Sequence, residues 1–201
     1  MTTANKITIG RIVAIPVFVT MAAYYGHGVQ KGDPQEWQRL AAIIIFVLAA
    51  ASDGLDGYIA RKYNQKSRLG VILDPIADKG LLLATIITLS FSNWHYEFPL
   101  WFPILVIARD AVIILGTVLL YYFYGPVHVR PSWTGKTATA LQMVAITCVL
   151  LEINFTAHLL GHSIEWLDIL VGLAGFFTFI SGLGYVMNGI HQLQAGGDAN
   201  A

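Results

Sequence analysis

Six apolar runs, each close to the length of a membrane crossing, constrain this chain more than any other feature. They cover 7–26, 40–61, 69–92, 99–124, 134–155 and 165–190, and a helix needs about 20 apolar residues to cross the hydrocarbon core. Backbone N–H and C=O groups cannot stay unpaired in lipid, so single runs of this length have to be helical. Hydrophobic residues make up 56% of the chain and charged ones only 12%, against about 25% charged in a soluble domain. The expectation is an all-α integral membrane protein with six transmembrane helices. One membrane domain over 1–192 is followed by a small, polar, disordered tail over 193–201. Asn5-Lys6-Ile7-Thr8 leads straight into the first run with no small-residue cleavage site, which does not fit a removable signal peptide.

Basic residues set the orientation. Lys6 and Arg11 flank the first run, Arg61, Lys62, Lys66 and Arg68 crowd the second connection, and Arg130 and Lys136 flank the fourth. The opposite connections hold Lys31 and Arg39 in one and no lysine or arginine in 93–98 or 156–164. This bias puts both termini and the 62–68 turn in the cytoplasm, with 26–36 as a polar outer loop. All five tryptophans, Trp37, Trp94, Trp101, Trp133 and Trp166, fall at run ends, as interfacial belts require. A net charge of zero argues against a nucleic-acid partner. The lone Cys148 rules out an internal disulfide and a cysteine-based zinc cluster. Glycines within the runs (Gly116, Gly172, Gly175, Gly182, Gly184) are expected to let helices pack closely.

Against this apolar background stand four acids: Asp53, Asp56, Asp74 and Asp78. A carboxylate in a membrane is costly and points to function. Asp53 and Asp56 are i,i+3 on one helix, and Asp74 and Asp78 are i,i+4 on the next; both spacings share a helix face. The turn between the helices is centred between Gln65 and Lys66, so Asp53 pairs in depth with Asp78, and Asp56 with Asp74. At about 1.5 Å rise per residue, four carboxylates converge within about two helical turns. Such a set needs cations, and its hard oxygen donors suit Mg²⁺, Mn²⁺ or Ca²⁺. Two metals facing a phosphate leaving group would fit phosphoryl chemistry. Gly57 and Gly70 leave room beside the acids, Ala60 keeps the surface low, and Arg61 offers a planar cation to a phosphate. Taken singly, Arg61, Lys62, Lys66 and Arg68 can also be read as topology-setting charges, more readily for Lys62 and Lys66 than for Arg61, and either glycine alone reads first as a packing residue.

The ordered set Asp53-x2-Asp56-Gly57-x2-Ala60-Arg61-x8-Gly70-x3-Asp74-x3-Asp78 resembles the full signature of the CDP-alcohol phosphotransferases, the class I CDP-alcohol phosphatidyltransferases. All eight fixed positions over 26 residues are present. The resemblance implies a six-helix enzyme of the inner (cytoplasmic) membrane, multi-pass, homodimeric, with its active site facing the cytoplasm. It implies transfer of a phosphatidyl group from CDP-diacylglycerol to an alcohol, with release of CMP. Asp53, Asp56, Asp74 and Asp78 would hold two divalent cations, Mg²⁺ or Mn²⁺, and Asp78 would also deprotonate the acceptor. Gly57, Ala60, Arg61 and Gly70 would line the CDP pocket.

Other segments narrow the acceptor. Asn5-x2-Thr8-x2-Arg11, Gly135-Lys136-Thr137 and Ser181-Gly182 with Tyr185 are similar to the bacterial phosphatidylglycerophosphate synthases, whose acceptor is glycerol 3-phosphate. Two positions depart: Arg109-Asp110 stands where Arg-Glu is usual, and Ala138 where a second lysine is frequent. Both departures, with Arg130-Pro131-Ser132, are similar to the CMP-forming cardiolipin synthases, which use phosphatidylglycerol. The acceptor phosphate needs cations, and Arg109, Arg130 and Lys136 are the candidates. The competing reading of Arg109 is a structural pair with Asp110 or an acid of the cluster; that of Arg130 and Lys136 is membrane anchoring. Lys79 stands beside Asp78 and is an alternative neutraliser. The six histidines are scattered and receive no role. A cation transporter also explains intramembrane acids, but such folds tend to carry inverted repeats, and none is visible here. A purely structural membrane protein leaves the four acids unexplained.

Overall fold

The computed structural model describes the backbone of residues 3–62, 68–124, 132–153, 155–159 and 162–197. Side chains at 3, 4, 53–62, 68–72, 74, 75, 120, 121, 123, 124, 157–159, 162–164 and 190–197 lie outside the described set. The elements run α1 (Thr3–Lys31), α2 (Glu36–Lys62), α3 (Arg68–Phe91), α4 (Trp101–Tyr124), α5 (Trp133–Leu150), β1 (Thr156–Leu159), β2 (His162–Glu165) and α6 (Trp166–Gly197). The six helices follow the six apolar runs, so the fold is all-helical as expected. The connection read as an outer loop at 156–164 contains a small antiparallel ribbon with Thr156 opposite Glu165. Positions 193–197, read as the start of a loose tail, continue α6, and 198–201 lie outside the described residues.

Among the described residues, three helices are long and apolar enough to cross a membrane: Asn5–Lys31, Trp101–Leu119 and Trp166–Gly189. α5 has 18 residues, about 27 Å at the usual rise.

The chain groups into two compact units, 1–98 with 149–153, and 99–148 with 154–201. In the first, α1 packs along both α2 and α3. Its core is built from Phe18, Ala22 and Tyr25 on α1, Ala42, Phe46 and Ala49 on α2, and Ala77, Leu81, Ile86 and Leu89 on α3, all buried. α1 runs past the expected boundary at residue 26 and stops in a Schellman turn. Gly32 (φ 76°) donates to the Val29 carbonyl at 3.1 Å, and Asp33 to the Gly28 carbonyl at 3.0 Å, the pairing that satisfies the last helical carbonyls. Gly26 lies within α1, where a Cβ would fall onto the Ser92 carbonyl; the glycine permits this close approach.

Trp94 departs from the belt reading. It is 4% exposed, donates from Nε1 to the Ala22 carbonyl at 3.0 Å and packs edge-on against Tyr25 at 4.7 Å. The partly exposed Trp37, Trp101 and Trp133 remain compatible with an interfacial position. Beside Trp94, Glu152 gathers three partners from distant parts of this unit. The Tyr25 hydroxyl donates to its Oε1 at 2.6 Å, Arg39 Nη1 donates to Oε2 at 2.7 Å, and His95 Nδ1 lies 2.8 Å from Oε1. This knot ties the end of α1 to the start of α2 and to the segments after α3 and α5.

In the second unit α4 packs on α6. Gly175 lies under Trp101, whose ring would meet a Cβ there at 2.5 Å. α5 is joined to α6 by a hydrogen bond from Gln142 Nε2 to Thr178 Oγ1 at 2.8 Å, with both residues buried. Gly182 lies against the Arg109 side chain. Among the described residues, a Cβ at Gly116, Gly172 or Gly184 would meet nothing within 4 Å, whereas Gly175 and Gly182 lie in close contacts.

Candidate active site

The helical hairpin that the aspartate spacing required is present, with Asp53 and Asp56 on α2 and Asp74 and Asp78 on α3. α2 packs on α3. The buried positions of α2 step through 42, 46 and 49, and the same three-four spacing continues to 53 and 56. On α3, the buried positions 89, 85 and 81 lead at that spacing to Ala77, which is also buried.

The side chains of Asp53, Asp56, Asp74, Gly57, Ala60, Arg61 and Gly70 lie outside the described residues, as does Arg130 altogether. Asp78 is described: it is exposed, and its neighbour Ala77 is fully buried. Lys79 is half-buried. Among the described side chains, no three His, Cys, Asp or Glu come together.

The second group of candidates is fully visible around Arg109. This arginine is 10% exposed and its neighbour Asp110 7%. Arg109 Nη1 donates to Asp110 Oδ1 at 2.6 Å, and Nη2 donates to Ser181 Oγ on α6 at 2.9 Å. The guanidinium carbon stands 5.8 Å from the centre of the Tyr185 ring. Arg109 Nε is buried without a hydrogen-bond partner. An arginine in an apolar helix needs an anion, and Asp110 supplies it here, in line with the structural reading of Arg109.

The first turn of α5 closes over this guanidinium. Ser132 caps it: its Oγ accepts from Gly135 N at 3.1 Å and from Thr134 Oγ1 at 3.1 Å, the usual work of an N-cap hydroxyl. A Cβ on Gly135 would lie 2.8 Å from Arg109 Nη2 and 3.0 Å from Ser181 Oγ. Glycine thus leaves the guanidinium room against the helix start, and a side chain there would have to push it aside. Lys136 follows, exposed. A helix N-terminus with an exposed lysine and a fixed arginine is a favourable place for a phosphate. Ala138 is buried on the same face as Gly135. Sequence reasoning gave Ser132 no role of its own; the cap spacing from Ser132 to Gly135 was the available signal. The partnership of Arg109 with Ser181, 72 residues apart, left no local trace.

The family pattern described as CDP-alcohol phosphatidyltransferase matches residues 1–179. A Bacillus subtilis relative named CDP-diacylglycerol–glycerol-3-phosphate 3-phosphatidyltransferase is 36% identical over 184 residues, which is 90% of this chain and 91% of the relative. An Escherichia coli K12 protein of the same name is 30% identical over 177 residues, 87% of this chain and 91% of that one. A Mycobacterium tuberculosis protein named probable phosphatidylglycerophosphate synthase is 30% identical over 190 residues, 94% of this chain and 82% of the relative.

Proposed function

Because this chain belongs to the CDP-alcohol phosphatidyltransferase family, we propose that it transfers a phosphatidyl group from CDP-diacylglycerol to glycerol 3-phosphate and releases CMP. The observation that carries this reading is the near full-length similarity to relatives named for that reaction, at 30–36% identity. The membrane-length helices suit a lipid donor whose acyl chains stay in the bilayer. We place the enzyme in the inner membrane, as a homodimer, with the aspartate hairpin on the cytoplasmic side.

In the proposed reaction a hydroxyl oxygen of glycerol 3-phosphate attacks the lipid-bearing phosphorus of CDP-diacylglycerol. The bond from that phosphorus to the CMP oxygen breaks, and CMP leaves with the electron pair. The hydroxyl proton passes to Asp78, whose exposure leaves it accessible to an acceptor. Gly57, Ala60, Arg61 and Gly70 are assigned to the CDP part of the donor. The acceptor phosphate is assigned to Arg109, Arg130 and Lys136. Arg109 is the fixed member, held by Asp110 and Ser181, and Lys136 the exposed one.

Divalent cations fit the donor set. Asp53, Asp56, Asp74 and Asp78 offer only hard carboxylate oxygens, the ligands Mg²⁺ and Mn²⁺ prefer. These residues would hold two such ions, which when bound would neutralise the pyrophosphate of the donor. Chelation with EDTA is expected to abolish CMP release, and Mg²⁺ or Mn²⁺ to restore it. Full turnover in excess EDTA would remove the metal assignment.

Purified protein in detergent, given CDP-diacylglycerol and Mg²⁺, is expected to release CMP when glycerol 3-phosphate is added. Release with phosphatidylglycerol alone would mark the chain as a cardiolipin synthase, and Arg109-Asp110 and Ala138 as the residues that told the two apart. Arg109→Ala is expected to raise KM for glycerol 3-phosphate about tenfold or more, the loss of a charge-assisted hydrogen bond of about 1.5–3 kcal/mol. An unchanged KM would leave Arg109 as a structural partner of Asp110.

A further inference from the structure

α1 is apolar by composition, yet one end of its seam is polar. Its buried side chains are Asn5, Thr8 and Arg11 at one end and Phe18, Ala22 and Tyr25 at the other. Arg11 is 2% exposed and Thr8 fully buried, and none of the three polar residues is without a partner. Burying a guanidinium is costly unless charge and hydrogen bonds compensate it. A helix that needed only to pack would carry leucine here.

Two contacts set the register of α1 against α2. The rings of Phe18 and Phe46 are 5.9 Å apart, and Arg11 Nε donates to Ser52 Oγ at 3.2 Å. Descending α1 from 18 to 11 thus corresponds to ascending α2 from 46 to 52, an antiparallel pair with equal rise on both helices. Carried one turn further, position 8 comes level with about 55 on that rise. The polar end of α1 therefore runs beside the stretch of α2 that holds Asp53 and Asp56. The Ser52 hydroxyl is oriented to accept from Arg11, because it donates its own proton to the Ala49 carbonyl at 2.7 Å and so turns a lone pair toward the guanidinium. Ser52 immediately precedes Asp53 and shares a helix face with Asp56 at i,i+4.

We propose that Arg11 is a positioning residue for the carboxylate site: by gripping Ser52 it fixes the turn of α2 that bears Asp53 and Asp56, and so sets the affinity of that site for divalent cations. This rests on the reading of those aspartates as cation ligands. Ser52 is neutral, so it does not balance the guanidinium, and the register brings the turn of α2 that carries positions 53 and 56 level with this end of α1. Partners one step behind a metal ligand commonly change metal affinity by about 10- to 100-fold when removed.

The test uses Arg11→Lys, Ser52→Ala and the double variant in detergent; none of these changes the net charge. Mn²⁺ binding without lipid donor is followed by the electron paramagnetic resonance of free Mn²⁺, and half-saturating Mg²⁺ by CMP release. Each single variant is expected to weaken both about tenfold. The double variant is expected to be no worse than the weaker single, because both remove one shared interaction. Should Arg11→Lys not accumulate as folded protein, Ser52→Ala decides alone. Wild-type binding with unshifted variants, even if their unfolding temperature falls, overturns the proposal and leaves Arg11 a clamp between helices. Wild-type protein that binds no Mn²⁺ overturns the cation-site reading itself, and this inference with it.

Discussion

Asp78→Asn is expected to lower CMP release by about 10²- to 10⁴-fold, the range that a positioned general base contributes. The substitution keeps the size of the side chain and removes its ability to accept a full proton. Asp78 is exposed on α3 while Ala77 beside it is fully buried, so the substitution removes no buried apolar contact. The variant should therefore match wild type in helical content and unfolding temperature while losing turnover. Turnover within a few-fold of wild type would refute the assignment of Asp78 as base. The loss should persist at saturating glycerol 3-phosphate and saturating Mg²⁺, because the proton acceptor itself is missing.

The largest effect on stability is expected at Asp110. With Arg109 at 10% and Asp110 at 7% exposure, Asp110→Asn leaves a guanidinium buried without its counter-charge. Breaking a buried pair from one side costs about 3–5 kcal/mol. For a chain of this size that corresponds to a fall in unfolding temperature on the order of 10 °C. Replacing both members with apolar residues, Arg109→Met with Asp110→Leu, should restore much of the loss, since no uncompensated charge remains. An unfolding temperature for Asp110→Asn within 2 °C of wild type, roughly the shift from under 1 kcal/mol, would show that the pair is solvated rather than buried. The double variant should still fail to use glycerol 3-phosphate well, which separates the stabilising part of Arg109 from its proposed binding part.

The six helices, with Asp53 and Asp56 on one and Asp74 and Asp78 on the next, were legible along the chain because both rest on local rules. A membrane-length apolar run leaves the backbone one solution, and i,i+3 or i,i+4 spacing puts acids on one helix face whatever packs against it. The partners of Arg109 were not legible in this way. Asp110 was visible as a neighbour, but Ser181 comes from α6 and Gly135 from α5, and only helix packing brings them to one guanidinium. Trp94 was misread for the same reason: its position at a run end suits an interfacial belt, but its contacts with Tyr25 and the Ala22 carbonyl are made across the fold.

By itself, then, the sequence determined an all-helical membrane enzyme of the CDP-alcohol phosphatidyltransferase kind, because hydropathy, spacing and the signature residues act over one or two turns. Tertiary structure alone decided where α1 ends, which arginines are buried, and what holds them. Position 26 has room only for glycine because the Ser92 carbonyl crosses it, and Arg11 is a seam residue that meets Ser52 on α2. A buried charge is tolerated only where another element supplies its partner, and the identity of that element depends on packing between segments far apart in the chain.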